Sequence, residues 1–184
     1  MSELKGKTAI VTGASRGIGG ALGVALAKEG MDLVLAARGR SVLEETAAGL
    51  SRKYKVRVVP VACDVTRQDD LENLAATAIR EFKKIDALIN SAGVSSQYPF
   101  QEQPLEDISR LMYTNYFGAV MLTRLMINHF IENKSGAVIN ITSGSTLVDP
   151  PPRNFIVYSS LKRALNAFSK GLFWELRDLG IKVT

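Results

Sequence analysis

The sequence predicts an α/β fold: a doubly wound parallel sheet with helices on both faces. Two observations predict it. Short apolar, β-branched runs alternate along the chain with longer segments whose apolar residues recur at helical spacing. The first run is joined to the first helical segment by a glycine-rich turn, Gly13-Ala14-Ser15-Arg16-Gly17-Ile18-Gly19. Strands alternating with helices wind as right-handed βαβ units, which place helices on both faces of the sheet.

The elements follow in order. Lys7 to Thr12 reads as a buried strand. After the glycine turn, Ile18, Leu22, Ala25 and Leu26 have helical spacing, ended by Lys28-Glu29-Gly30. Met31 to Ala37 is a second strand, and Ser41-Val42-Leu43-Glu44 reads as a capping box opening a helix to about Arg52. Val56 to Cys63 is a third strand, and its Pro60 suits an edge position. A helix from about Asp69 to Phe82 leads to a fourth strand, Ile85 to Asn90, and the turn Ser91-Ala92-Gly93. A polar segment, Ser95 to Pro104, precedes a long helix from about Glu106 to Asn133. A fifth strand spans Ala137 to Thr142, and a loop rich in Gly, Ser and Pro runs from Ser143 to Asn154. The last helix is expected from about Ile156 to Leu179, capped by Gly180, with a sixth strand beginning at Ile181.

Composition narrows the function classes. At 184 residues the chain is expected to form one domain spanning 1–184, large enough to bury a substantial core. The net charge of +5 comes from scattered Lys and Arg, so a phosphorylated small molecule accounts for it as well as a nucleic acid would. No nucleic-acid partner is expected. The start carries no apolar leader, and the most apolar stretch, Leu111 to Ile131, is interrupted by Asn115, Arg124, Asn128 and His129, so no membrane span is expected. One cysteine, Cys63, fits a reducing cytoplasm, and a single histidine beside a single cysteine argues against a structural zinc. No metal site is expected.

Ligands of such sheets bind beyond the carboxyl ends of the strands. Those ends collect Gly13 to Gly19, Ala37-Arg38, Asp64-Val65, Asn90 to Gly93, and Ser143. A strand–glycine–helix turn offers backbone N–H donors and a positive helix end to a phosphate. The last helix adds Tyr158 and Lys162, four residues apart and on one face. A phenol is a weak acid–base near neutrality, and a close ammonium favours its phenolate. A serine hydroxyl can hold a substrate oxygen beside it.

These motifs, in this order, resemble those of the short-chain dehydrogenase/reductase family, from about Lys5 to Thr184. Thr12-Gly13-Ala14-Ser15-Arg16-Gly17-Ile18-Gly19 looks like the family's cofactor loop, and Asp64-Val65 its adenine contact. Asn90-Ser91-Ala92-Gly93 is similar to its Asn-Asn-Ala-Gly turn, with Ser91 replacing the commoner Asn. Asn115 resembles the asparagine that supports a water relay, Ser143 the catalytic serine, and Tyr158-Ser159-Ser160-Leu161-Lys162 the Tyr-x-x-x-Lys signature. The resemblance implies a Rossmann-like fold and a hydride transfer between a nicotinamide cofactor and a carbonyl or hydroxyl carbon. Tyr158 would be the general acid, Ser143 would polarise the carbonyl, Lys162 would favour the phenolate and hold the ribose, and Asn115 would position the lysine's water. Gly13, Ser15, Arg16, Gly17, Ile18, Gly19, Arg38, Asp64, Val65, Asn90, Ala92 and Gly93 would bind the cofactor together with Tyr158 and Lys162.

Cofactor choice follows from the end of the second strand. An acid there would favour NAD; this chain has Ala37 and Arg38, with Arg16 in the glycine loop and Arg40 near. Guanidinium groups bind a 2′-phosphate bidentately, so NADP(H) is expected over NAD(H). The loop after Ser143 is slightly longer than the family's, which leaves Ser145 as a rival. The resemblance also implies a homodimer or homotetramer through the helices at 106–133 and 156–179, and a chain incomplete at its C-terminus, without the last strand and substrate lid. The alternative is a catalytically silent NADP-binding or regulatory module; a nucleotide-sugar epimerase shares Tyr-x-x-x-Lys but has a different glycine loop. Substrate identity is left open.

Overall fold

A computed structural model describes residues 3–184. Six parallel strands form one sheet in the order β3-β2-β1-β4-β5-β6. They are β1 (Thr8–Thr12), β2 (Asp32–Ala37), β3 (Val58–Ala62), β4 (Ala87–Asn90), β5 (Gly136–Asn140) and β6 (Ile181–Val183). Between them run α1 (Gly17–Lys28), α2 (Arg40–Tyr54), α3 (Gln68–Phe82), α4 (Leu105–Met112), α5 (Gly118–Glu132) and α6 (Ile156–Leu176). The fold is the expected Rossmann-like one, and Pro60 does lie on an edge strand, paired through β3 to β2.

Alternation of side chains along each strand divides the core in two. Ile10, Val34, Leu88 and Val138 face α3 and α5, where they pack with Leu71, Leu74, Leu122, Met126 and Phe130. Ala9, Val11, Leu33, Leu35 and Ile89 face α1 and α2. Each large side chain buried in this way contributes about 1.5–3 kcal/mol.

Two local expectations are corrected, the start of α2 and the long helix over 106–133, while α1 forms as expected but packs on small residues. The capping box at Ser41 does not form: α2 starts at Arg40 behind an extended Gly39, whose carbonyl accepts the Leu43 N–H at 3.2 Å. The helix thus begins directly from the strand-end turn, with Ser41 already inside it. In α1 the buried residues are Gly19, Gly23 and Ala27, while Ile18 and Ala25 are exposed and Leu22 and Leu26 pack at the margin. Small residues let this helix approach the sheet; a Cβ on Gly23 would lie 3.4 Å from a Leu35 methyl. The long helix expected over 106–133 is two α-helices joined by a π turn, Tyr113–Phe117, that carries Asn115. Strand and helix ends otherwise shift by a few residues, as at β5, which stops at Asn140 before Ile141 and Thr142.

Candidate active site

The chain winds outward from β1 in one direction through β2 and β3, then crosses back to β4, β5 and β6. Loops diverge at that reversal and leave a crevice at the carboxyl ends of β1 and β4. It measures about 750 Å³. One wall is the glycine loop; the end of β2, the loop after β3, the turn after β4, Thr114–Asn115, Ile141–Thr142, Tyr158 and Lys162 supply the rest.

The glycine loop is locked to the turn after β4. Thr12 Oγ1 accepts the N–H groups of Ser91 and Ala92, each at 3.1 Å. Gly13 has φ +68°, and a Cβ there would stand 2.8 Å from the Ala92 Cα, so no other residue fits. Next in the chain, α1 opens at Gly17 with no side chain capping it and no acid in its first turn. Its first N–H groups face a cleft that Gly17, Ile18 and Gly19 line. A close-approach loop ending in uncapped helix donors fits a dinucleotide's phosphates.

Charge in the cleft is mostly positive. Arg16 and Arg38 both line it, whereas Arg40 turns to a separate crevice of about 200 Å³ between α2, α3 and β3. Burial pushes the Asp64 carboxyl up, but hydrogen bonds from the Thr66 N–H and hydroxyl, with Arg38 and Arg67 nearby, hold it below the usual carboxylate range. Cys63, also in the cleft wall, is a free thiol that burial, with Asp70 and Asp64 beside it, pushes up to about 12. It is inert at neutral pH.

Tyr158 and Lys162 lie on one face of α6, with Lys162 Nζ 6.0 Å from the Tyr158 ring centre. Phe155 packs its ring edge-on against Tyr158 at 6.1 Å and fixes the phenol's direction. Lys162 donates to the Ile141 carbonyl at 2.9 Å, and burial lowers its ammonium from 10.5 to about 8. The Asn115 amide donates to the carbonyls of Val94 and Leu111 at 2.8 and 3.0 Å, and its Oδ1 accepts the Val94 N–H at 3.2 Å. The side chain thus ties the π turn to the end of α4 and to the Val94 backbone in the loop after β4.

Gly13, Ser15, Arg16, Gly17, Ile18, Gly19, Arg38, Asp64, Val65, Ala92, Gly93, Asn115, Tyr158 and Lys162 all line this one cleft. Two expected residues do not. Asn90 is buried and spends its amide on Asn140 Oδ1 at 2.9 Å and Thr123 Oγ1 at 3.1 Å, beneath the site. Ser143 follows Thr142 out of the cleft wall and caps a short 3₁₀ turn, Gly144–Leu147, its Oγ accepting the Ser145 N–H at 3.2 Å. That oxygen keeps its own proton to donate. The rival hydroxyl of Ser145 is buried with no partner among the described residues.

Sequence reasoning missed Thr12 as a site-building residue and Asn140 as the partner of Asn90. A threonine ending the strand before the glycines, and asparagines ending two neighbouring strands in register, were the available signals. The polar segment before α4 and the loop after Ser143 are joined, since Tyr98 donates its N–H to the Asn154 carbonyl at 3.1 Å.

The family model for short chain dehydrogenases matches residues 7–184, so the chain belongs to the short-chain dehydrogenase/reductase family of oxidoreductases. Its relatives differ in substrate. It is 35% identical over 185 residues to the fatty acyl-CoA reductase of Acinetobacter baylyi, covering 99% of this chain and 61% of that one. It is 32% identical to the very-long-chain 3-oxoacyl-CoA reductase of Bos taurus, covering 97% of this chain and 57% of that one. The chain thus spans about three-fifths of the length of these curated relatives. Among solved structures, the L-sorbose reductase of Gluconobacter frateurii, complexed with NADPH and L-sorbose, superposes with a TM-score of 0.93 at 33% identity, covering 100% of this chain and 69% of that one. An NAD⁺-bound xylitol dehydrogenase superposes with a TM-score of 0.91 at 30% identity, covering 98% of this chain and 69% of that one. Among the described residues, no helix is long and apolar enough to cross a membrane.

Proposed function

We propose that the chain is an NADP(H)-dependent oxidoreductase that interconverts a small-molecule carbonyl and its alcohol. The observation that carries this reading is the meeting of Tyr158, Lys162 and Asn115 with the glycine loop in one cleft. Gly13 to Gly19 would hold the cofactor's phosphates, Asp64 and Val65 its adenine side, and Ala92, Gly93, Tyr158 and Lys162 its nicotinamide ribose. When bound, the nicotinamide supplies or accepts the hydride.

The chain's own residues then handle orientation and the proton. Tyr158 Oη gives its proton to the carbonyl oxygen in reduction and takes it back in oxidation. Ser143, which follows Thr142 at the rim of the cleft and whose oxygen is already an acceptor for Ser145, would donate to the same carbonyl oxygen from that rim and polarise it. The Lys162 ammonium, charged below about pH 8, supplies the positive field beside the phenol. Asn115 fixes the Val94 backbone and the π turn next to that lysine, and so keeps the relay side of the site in place.

Solved neighbours hold NADPH or NAD⁺, so the preference rests on Arg16 and Arg38, with no acid at the end of β2. Fluorescence titration with NADPH and NADH tests it. Saturable NADPH binding, tighter than NADH and selectively weakened by Arg38→Ala, is the expected result. Equal affinity for both nucleotides would overturn the preference, and no binding of either would overturn the enzyme reading.

The apolar residues left exposed on α4, α5, α6 and the π turn, among them Tyr113, Phe117, Phe173 and Trp174, support a homodimer or homotetramer built on these helices. A monomer at micromolar concentration by light scattering would count against it. The buried free thiol of Cys63 supports a reducing cytoplasmic setting.

A further inference from the structure

The cofactor contacts named so far occupy the glycine loop, the ends of β2 and β3, the turn after β4, and α6. The α4 side of the cleft has no assigned cofactor contact. There Arg110 and Thr114, one helical turn apart, both line the cleft, and Arg110 is the third guanidinium in it after Arg16 and Arg38. The π turn after α4 leads into α5, whose first residue, Gly118, lies close against the loop after β3: a Cβ there would stand 2.7 Å from the Val65 carbonyl oxygen. From Gly118, packed on the Val65 loop, the chain runs back through Thr114 to Arg110, both in the cleft wall.

Arg110 differs from a free surface arginine in being anchored. Its Nε donates to Asp107 Oδ1 at 3.2 Å, and its Nη2 donates to the same oxygen. Asp107 is itself fixed by Ser96 Oγ at 2.5 Å and Gln103 Nε2 at 3.0 Å. Burial pushes the Asp107 carboxyl up, but these three donors outweigh it and keep the group below the usual carboxylate range. The pair is therefore a set ion pair at neutral pH. A guanidinium carries five N–H donors, and those on Arg110 Nη1 have no partner among the described residues.

We propose that Arg110, held in place by Asp107, is a further cofactor-binding residue, donating its free Nη1 to the adenosine diphosphate portion that NADH and NADPH share. The proposal rests on the dinucleotide reading above. Because Asp107 cancels its charge at long range, Arg110 acts by a short, directed, charge-assisted hydrogen bond rather than by a field. It does not read the 2′-phosphate. Its removal weakens both nucleotides by the same factor, in contrast to Arg38.

Calorimetric titration of the full chain with NADPH, NADH, ADP and adenosine tests this. Arg110→Ala is expected to raise Kd for NADPH, NADH and ADP by a common factor of about 10–150, the range of one charge-assisted hydrogen bond, and to leave adenosine within twofold. Ser96→Ala, which removes one of the donors to Asp107 but leaves Gln103 and Arg110 on it, is expected to weaken NADPH, NADH and ADP by clearly less than Arg110→Ala does. Unchanged affinity in Arg110→Ala overturns the proposal, as does a loss confined to NADPH. A loss in Ser96→Ala as large as that in Arg110→Ala also overturns it, since the effect would then come from the loop. A wild-type chain that binds none of the nucleotides overturns the dinucleotide reading itself and this proposal with it.

Discussion

The Lys162 ammonium is buried and donates to the Ile141 carbonyl at 2.9 Å, so one bond joins α6 to the end of β5 in the floor of the cleft. Burial lowers its pKa from 10.5 to about 8. A folded value below the unfolded one means that the fold disfavours the charge. Stability is therefore lower below about pH 8 and rises between about 8 and 10.5 as the proton leaves. Function runs the other way, because the proposed role needs the cation. NADPH affinity and carbonyl reduction are expected to fall above about pH 8, and Lys162→Met to lower kcat/KM by about 10²-fold or more and to flatten that fall. A wild-type profile level from pH 7 to about 9.5, checked by steady-state rates, would remove Lys162 from the mechanism.

The glycine loop allows a sharper comparison within one motif. Gly13 and Gly17 both have positive φ, +68° and +59°, but a Cβ on Gly13 meets the Ala92 backbone at 2.8 Å and one on Gly17 meets nothing within 4 Å. Gly17→Ala is expected to cost about 1–2 kcal/mol, the backbone strain alone. Gly13→Ala adds the collision with rigid backbone and is expected to cost several kcal/mol in all, about 3 or more. Urea midpoints of the two variants, compared at equal m-value, decide it; equal losses would mean that the Ala92 turn yields freely.

Most of this site was legible because it is built from rules of order. Ligand groups sit at strand ends, and strand ends can be found from apolar runs; Tyr158 and Lys162 share a face because helices repeat every 3.6 residues. What escaped depends on partners far along the chain. Whether Asn90 points into the cleft or beneath it is set by its register with Asn140, 50 residues away. The π turn at Tyr113–Phe117 leaves no compositional mark, and the Ser41 capping box lost to a helix that starts two residues earlier. Arg110 went unremarked because its anchor, Asp107, also ties down Ser96 and Gln103, contacts that appear only once the segment before α4 is folded.

The Asn90–Asn140 pair is expected to matter for stability rather than for chemistry. Asn140 also donates to Ser169 Oγ at 2.9 Å, so α5, β4, β5 and α6 are linked by one buried chain of hydrogen bonds. Asn140→Ala leaves one N–H of the Asn90 amide without its acceptor, the other staying on Thr123, and opens a small void, at a cost of about 2–4 kcal/mol. Thermal unfolding reads this directly. NADPH affinity measured well below the melting range is expected to stay within a few-fold; a complete loss of binding in a still-folded variant would show that Asn90 does reach the cofactor.

His129 supplies a pH test in a separate window. Its Nε2 accepts the Ile85 N–H at 3.0 Å, a bond that requires the neutral ring and holds α5 against the start of β4. Burial lowers its pKa below the ordinary 6.5; Glu132 and Asp86 oppose the shift, and Lys84 adds to it. With the folded value depressed, its contribution is fully present above about pH 6.5 and is lost as pH falls through the lower folded value. Asp64 and Asp107, also depressed, lose theirs only below the ordinary carboxylate range, so the histidine step comes first on acidification. His129→Gln can keep an acceptor for the Ile85 N–H but cannot take up a proton there. Denaturant unfolding of the two chains from pH 7.5 to about 5 is expected to show the wild type losing stability below about 6.5 while the variant stays level. Parallel curves through that range would mean that the ring is already free of Ile85 in solution.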